Sequence, residues 1–91
     1  MSNRRTVTVT IVNRLGLHAR PAMSFVDAAS AFKAAVRVRK GEQEVDGKSI
    51  MQMMMLAATK GTKLEVTAEG DDAEQACKAL SDLVASGFEE E

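Results

Sequence analysis

Tryptophan and tyrosine are missing from this chain of 91 residues, and the only aromatics are three phenylalanines. A nucleic-acid binder uses aromatic stacking platforms and a basic stripe, and a chain with three aromatics and net charge −1 offers neither. There is one cysteine, Cys77, so an internal disulfide is excluded. Cys77 falls on the apolar stripe of a predicted helix and reads as a buried core residue. One histidine and one cysteine far apart, with no clustered carboxylates, predict no metal site, and nothing in the sequence calls for a cofactor. No apolar run approaches the roughly 18 residues of a membrane span. The N-terminus, Met1-Ser2-Asn3-Arg4-Arg5-Thr6, passes straight into alternating residues without a secretory core, so a cytoplasmic protein is expected. At 45% hydrophobic content, the length predicts one domain spanning residues 1–91, with a modest core and no large substrate cavity.

What the chain does hold is concentrated. Gly16-Leu17-His18-Ala19-Arg20-Pro21-Ala22 contains the only histidine and the only proline. Proline is tolerated in the first turn of a helix and not further in, so Pro21 pins a helix start to within a turn of His18. The unpaired N–H groups and positive dipole end of a first turn favour an anion, such as a phosphoryl group on the imidazole. Arg20 adds a fixed positive charge. Residues 1–40 contain eight Lys/Arg and one acid, Asp27, whereas residues 41–91 contain four Lys and twelve acids. The His18 end is the basic end, suited to phosphate and acidic partners, unless the fold interleaves the halves.

The hydropathy pattern predicts the order βαββαβα. Thr6–Val12 alternates, with Val7, Val9 and Ile11 on one face. A helix over residues 19–30 carries Ala22, Phe25, Val26, Ala29 and Phe32 as its core stripe. Val36 and Val38 point inward from a strand over 34–40, Arg37 and Arg39 point outward, and Gly41 turns into a short strand near Gln43–Val45. A short helix is predicted over Ile50–Ala58, then a strand over 63–69 with Leu64, Val66 and Ala68 inward. Asp71 or Asp72 caps a last helix that ends near Gly87, with Ala73, Ala76, Cys77, Leu80, Leu83 and Val84 buried. This order predicts an α+β fold, an antiparallel sheet with helices on one face. Glu89–Glu91 read as a solvated tail.

Gly47-Lys48-Ser49 is not a phosphate-binding P-loop. That motif needs four residues between its first glycine and Gly-Lys-Ser/Thr, and Gly41 leaves five. Ser49 instead reads as the cap of the short helix. Ile50, Met51, Met53, Met54, Met55 and Leu56 are too many apolar residues for one face. Met53 and Leu56 share a core stripe, and Ile50, Met51 and Met54 form an adaptable exposed patch.

The segment Gly16–Ala22 with Asn13, together with Gly47-Lys48-Ser49-Ile50-Met51, Lys60-Gly61 and Ser86-Gly87-Phe88-Glu89-Glu90-Glu91, resembles the HPr-type phosphocarriers of bacterial phosphotransferase systems. The resemblance implies an open-faced sandwich of four antiparallel strands covered by three helices. It implies that His18, through Nδ1, accepts a phosphoryl group from an enzyme I-like donor and passes it to a IIA-like acceptor, so the carrier is both substrate and donor. Arg20 would bond the phosphate, with Ala19, Pro21 and Asn13 positioning it. Ser49 matches a serine that a dedicated kinase phosphorylates in many bacteria. Ile50, Met51, Met54 and Met23 would form the docking face for partners, and a monomer is expected. The ending Ser86-Gly87-Phe88 and the Met53–Ala58 stretch are similar to the nitrogen-related branch of the family, and Asp27 and Ser30 are not the lysines of some sugar-branch members. The rival readings are a non-catalytic docking regulator controlled through Ser49 and a small binder of an anionic metabolite.

Overall fold

A computed structural model describes residues 3–89. In chain order the elements are β1 (Arg4–Thr10), α1 (Ala19–Ser30), β2 (Ala35–Lys40), β3 (Gln43–Asp46), α2 (Ile50–Met55), β4 (Lys63–Glu69) and α3 (Ala73–Ala85), followed by a 3-10 turn at Gly87–Glu89. All strand pairs are antiparallel, in the order β1-β4-β2-β3, with Val66 of β4 opposite both Val7 and Val38. Because side chains alternate along a strand, this register stacks Val9, Val36, Val38, Leu64, Val66 and Ala68 on the buried face. The opposite face carries threonines and charges, including Thr6 and Thr67, whose hydroxyls meet at 2.9 Å. The sheet is an open-faced sandwich with the helices on one side.

α1 begins and ends where its periodicity predicts, and Ala22, Phe25, Val26 and Ala29 are buried. Fully burying a side chain such as Phe25 contributes roughly 1.5–3 kcal/mol, so this stripe holds α1 to the sheet. Cys77 is buried in α3, where its Sγ donates to the Arg5 carbonyl at 3.4 Å and burial pushes the thiol pKa up. Such a thiol is a packing residue and a poor nucleophile.

Several boundaries and one cap differ from the sequence reading, β2 starting at Ala35 instead of Ala34. β1 runs two residues earlier at each end, and Ile11 lies beyond it. Ile11 remains buried, with its N–H on Thr62 O at 2.9 Å and its carbonyl accepting from Gly61 N at 2.7 Å. α2 stops at Met55 instead of Ala58, because Ala57 has φ of 49°, which no right-handed helix accommodates. Asp72 occupies the N-cap position before α3, but its side chain makes no cap hydrogen bond. Its carboxylate instead accepts the Lys33 and Ala34 N–H groups, both at 2.8 Å, in the turn between α1 and β2. In the expected tail, Glu89 belongs to the 3-10 turn, and Glu90 and Glu91 lie outside the described residues.

The fold also interleaves the basic and acidic halves. Arg5 of β1 approaches Glu74 of α3 at 3.7 Å and Arg39 of β2 meets Glu65 of β4 at 3.2 Å, so bases of the first half face acids of the second. Among the described residues, no helix is long and apolar enough to cross a membrane.

Candidate functional site

The loop between β1 and α1 is held from beneath. Asn13 is buried, and its Nδ2 donates to Gly16 O at 2.7 Å, while Gly16 N donates back to Asn13 O at 3.2 Å. This pair closes a tight turn with Arg14 and Leu15 at its exposed corner. Gly16 has φ of +72°, and a Cβ there would lie 2.5 Å from Ala58 O. Only glycine fits both demands. The same Ala58 carbonyl accepts the Leu17 N–H at 2.8 Å, tying the loop to the segment after α2.

His18 follows as the N-cap residue of α1, with extended backbone (φ −82°, ψ −170°) and no side-chain cap hydrogen bond. Its N–H donates to Gly16 O and its carbonyl accepts from Ala22 N, both at 3.0 Å. The backbone is therefore fixed on both sides while the imidazole is not consumed in capping. Pro21 is the third helical residue and buried; it has no N–H, which leaves those of Ala19 and Arg20 as the first-turn donors. Ala19 and Arg20 are exposed. A shallow open depression lined by Leu15, Leu17, His18, Ala57, Ala58 and Thr59 adjoins the half-buried imidazole. A first turn whose leading N–H groups have no intrahelical acceptor, with a fixed cation and an imidazole beside it, can receive and release an anion.

Ser49 caps α2 as predicted, its Oγ accepting the Gln52 N–H at 3.2 Å. The Gln52 side chain turns back to accept the Asp46 N–H at 2.9 Å, so the turn and first helical residues brace each other. Gly47 lets that turn lie on β2, since a Cβ would meet Val36 Cγ1 at 2.6 Å. Met53 and Leu56 are fully buried, whereas Met23, Ile50, Met51 and Met54 are exposed. The sequence reading did not name as exposed three apolar side chains: Met55 on α2, Leu15 beside His18, and Val12 just after β1. Leu15 could have been found as an apolar residue at a turn corner, where burial is not expected.

A family model described as the PTS HPr component phosphorylation site matches residues 5–86. The chain belongs to the HPr family. It is 51% identical over 83 residues to the phosphocarrier protein HPr of Pseudomonas aeruginosa, covering 90% of this chain and 92% of that one. It is 41% identical over 85 residues to the phosphocarrier protein NPr of Escherichia coli K12, covering 92% and 94%. A crystal structure of HPr from Thermoanaerobacter tengcongensis superposes with a TM-score of 0.92 at 48% identity, covering 96% of this chain and 98% of that one. HPr-family proteins are phosphocarriers of the phosphotransferase system, working between enzyme I and IIA components. The open-faced sandwich described above is their fold.

Proposed function

We propose that His18 is the phosphoryl-accepting residue, taking the group from an enzyme I-like donor and delivering it to a IIA-like acceptor. The observation that carries this reading is the placement of His18 at the entrance of α1, with its backbone held by Gly16 and Ala22 and Arg20 following in the first turn. The neutral imidazole attacks the phosphorus of a phosphohistidine on the donor through Nδ1, the nitrogen that the family resemblance implies. A new N–P bond forms at His18, the donor's N–P bond breaks, and its electron pair returns to the donor imidazole. Histidine suits a carrier because a neutral imidazole nitrogen has a lone pair that can attack phosphorus and later leave from it. The helix start contributes about 0.3–1 kcal/mol toward a bound anion, enough to place the phosphate without trapping it. Arg20 supplies charge-assisted hydrogen bonds, Pro21 fixes the first turn, and Asn13 acts through Gly16 by holding the loop. Positioning and charge neutralisation suffice for phosphoryl transfer when the partner completes the site.

The carrier acts as a cytoplasmic monomer of one domain, docking partners through Met23, Ile50, Met51 and Met54. Two features point to different branches. The 51% identity to an HPr against 41% to an NPr favours the sugar branch, whereas the Ser86-Gly87-Phe88 ending favours the nitrogen-related one. Phosphorylation of Ser49 belongs to the regulatory reading. A phosphate on Ser49 Oγ would lie at the N-terminal end of α2, two positions before Met51 in the chain.

Intact-protein mass spectrometry after incubation with phosphoenolpyruvate and an enzyme I of either branch tests the proposal. One acid-labile phosphoryl group is expected on the wild type and none on His18→Ala, and the faster enzyme identifies the branch. Arg20→Ala is expected to lose roughly tenfold to a hundredfold in kcat/KM, the kinetic equivalent of one charge-assisted hydrogen bond, with Arg20→Lys recovering only part. If neither enzyme I nor the native donor phosphorylates the wild type, the docking regulator replaces the carrier as the better account.

A further inference from the structure

Of the methionines in the described residues, four are exposed and one is buried, the reverse of what core filling would give. Three of the exposed ones crowd a single helix of six residues: Met51 at 79%, Met55 at 64% and Met54 at 43% relative exposure. Met51 and Met55 stand four residues apart and Met51 and Met54 three apart, so their thioethers share neighbouring rows of the helix surface. Met53, within the same turn, is 0% exposed. One short helix thus presents three methionines to solvent and keeps a fourth in the core.

We propose that Met51, Met54 and Met55 form a reversible oxidation site whose sulfoxides weaken partner docking at α2 while leaving the fold intact. The docking half of this proposal rests on the phosphocarrier reading. The co-reactant is a peroxide. A thioether sulfur donates its lone pair to one peroxide oxygen, the O–O bond breaks, and the departing hydroxide takes the proton from the sulfur-bound oxygen to leave as water. Sulfur loses two electrons and the peroxide gains two. A dithiol-coupled reductase reverses the step, removing the oxygen as water and forming a disulfide.

The consequence follows from surface chemistry. Methionine adapts to partners because it is flexible, polarisable and apolar. A sulfoxide places a strong acceptor on that side chain, which costs free energy when an interface buries it without a donor. Phosphoryl chemistry at His18 needs none of these sulfurs. The stability of α2 rests on the Ser49 cap, on Met53 and Leu56 in the core, and on Lys40 and Gln43, which donate to the Leu56 and Met55 carbonyls.

The experiment treats the folded protein with dilute hydrogen peroxide, follows each methionine by peptide mass spectrometry, and measures phosphoryl uptake from enzyme I before and after. Met51, Met54 and Met55 are expected to gain one oxygen each well before Met53, with the thermal midpoint nearly unchanged. KM for the carrier is expected to rise several-fold with kcat held, and methionine sulfoxide reductase to restore it. The variant Met51→Leu/Met54→Leu/Met55→Leu, compared only with its own untreated form, is expected to lose that response. Oxidation of Met53 at the rate of Met51, or an unchanged KM after full oxidation of the three, overturns the proposal. A wild type that takes no phosphoryl group before treatment marks failure of the carrier reading and removes the docking half with it, leaving the oxidation site to be decided by the peptide map.

Discussion

Gly16 shows how closely single residues couple the fold to the site. Its φ of +72° turns the chain from β1 toward α1, and the missing Cβ leaves room for the Ala58 carbonyl, which holds Leu17 immediately before His18. Gly16→Ala puts a methyl group 2.5 Å from that oxygen in a left-handed conformation, so the loop must shift. We expect a loss of about 1–3 kcal/mol in urea denaturation, together with slower phosphoryl uptake from the displaced ring. A variant with the wild-type midpoint would show that the loop absorbs the methyl without moving the Ala58 contact. At this scale much was readable from the sequence, because helix-start chemistry is local: Pro21 and His18 announce α1 without knowledge of any neighbour. Asn13 was readable only as part of a family resemblance, since its bond to Gly16 O depends on a turn that composition does not specify.

At the scale of elements, α2 separates what local sequence determines from what tertiary contact imposes. Its start was legible, since Ser49 is a good cap residue and its Oγ does accept the Gln52 N–H. Its end was not. The apolar run continues through Ala58, but the chain leaves the helix at Ala57 to deliver the Ala58 carbonyl to Leu17, and no periodicity encodes a contact so remote. The same limit explains Asp72, whose carboxylate is drawn to N–H groups in the α1–β2 turn. Because α2 has only six residues, its cap is a large share of its stability. Ser49→Ala is expected to cost about 1 kcal/mol in urea denaturation, whereas Ser49→Asp keeps an acceptor at the cap and stays near wild type. Equal losses in the two variants would mean that the braced Asp46–Gln52 turn, and not the hydroxyl, sets the start of the helix.

For the whole molecule, alternation told which face of each strand is buried but not which strands are neighbours, so the order β1-β4-β2-β3 came from the structure. The helices then have to be fastened across that sheet, and Asp72 does so between segments far apart in the chain. The Lys33 N–H bond foremost, with the Ala34 N–H and the Lys48 charge, holds its carboxyl below the ordinary value of 3.8 against partial desolvation. A folded-state pKa lower than the unfolded one means that the ionised carboxylate stabilises the fold. That contribution is complete above the unfolded value and is lost as pH falls through the folded value, when the native carboxyl also takes a proton. The wild type is therefore expected to exceed Asp72→Asn in stability by a constant margin above about pH 5, and the margin to shrink progressively below about pH 4. Urea midpoints for both proteins across that range provide the check. A margin independent of pH down to the acid limit would show that hydrogen-bond geometry alone, and not the charge of Asp72, joins α3 to the turn between α1 and β2.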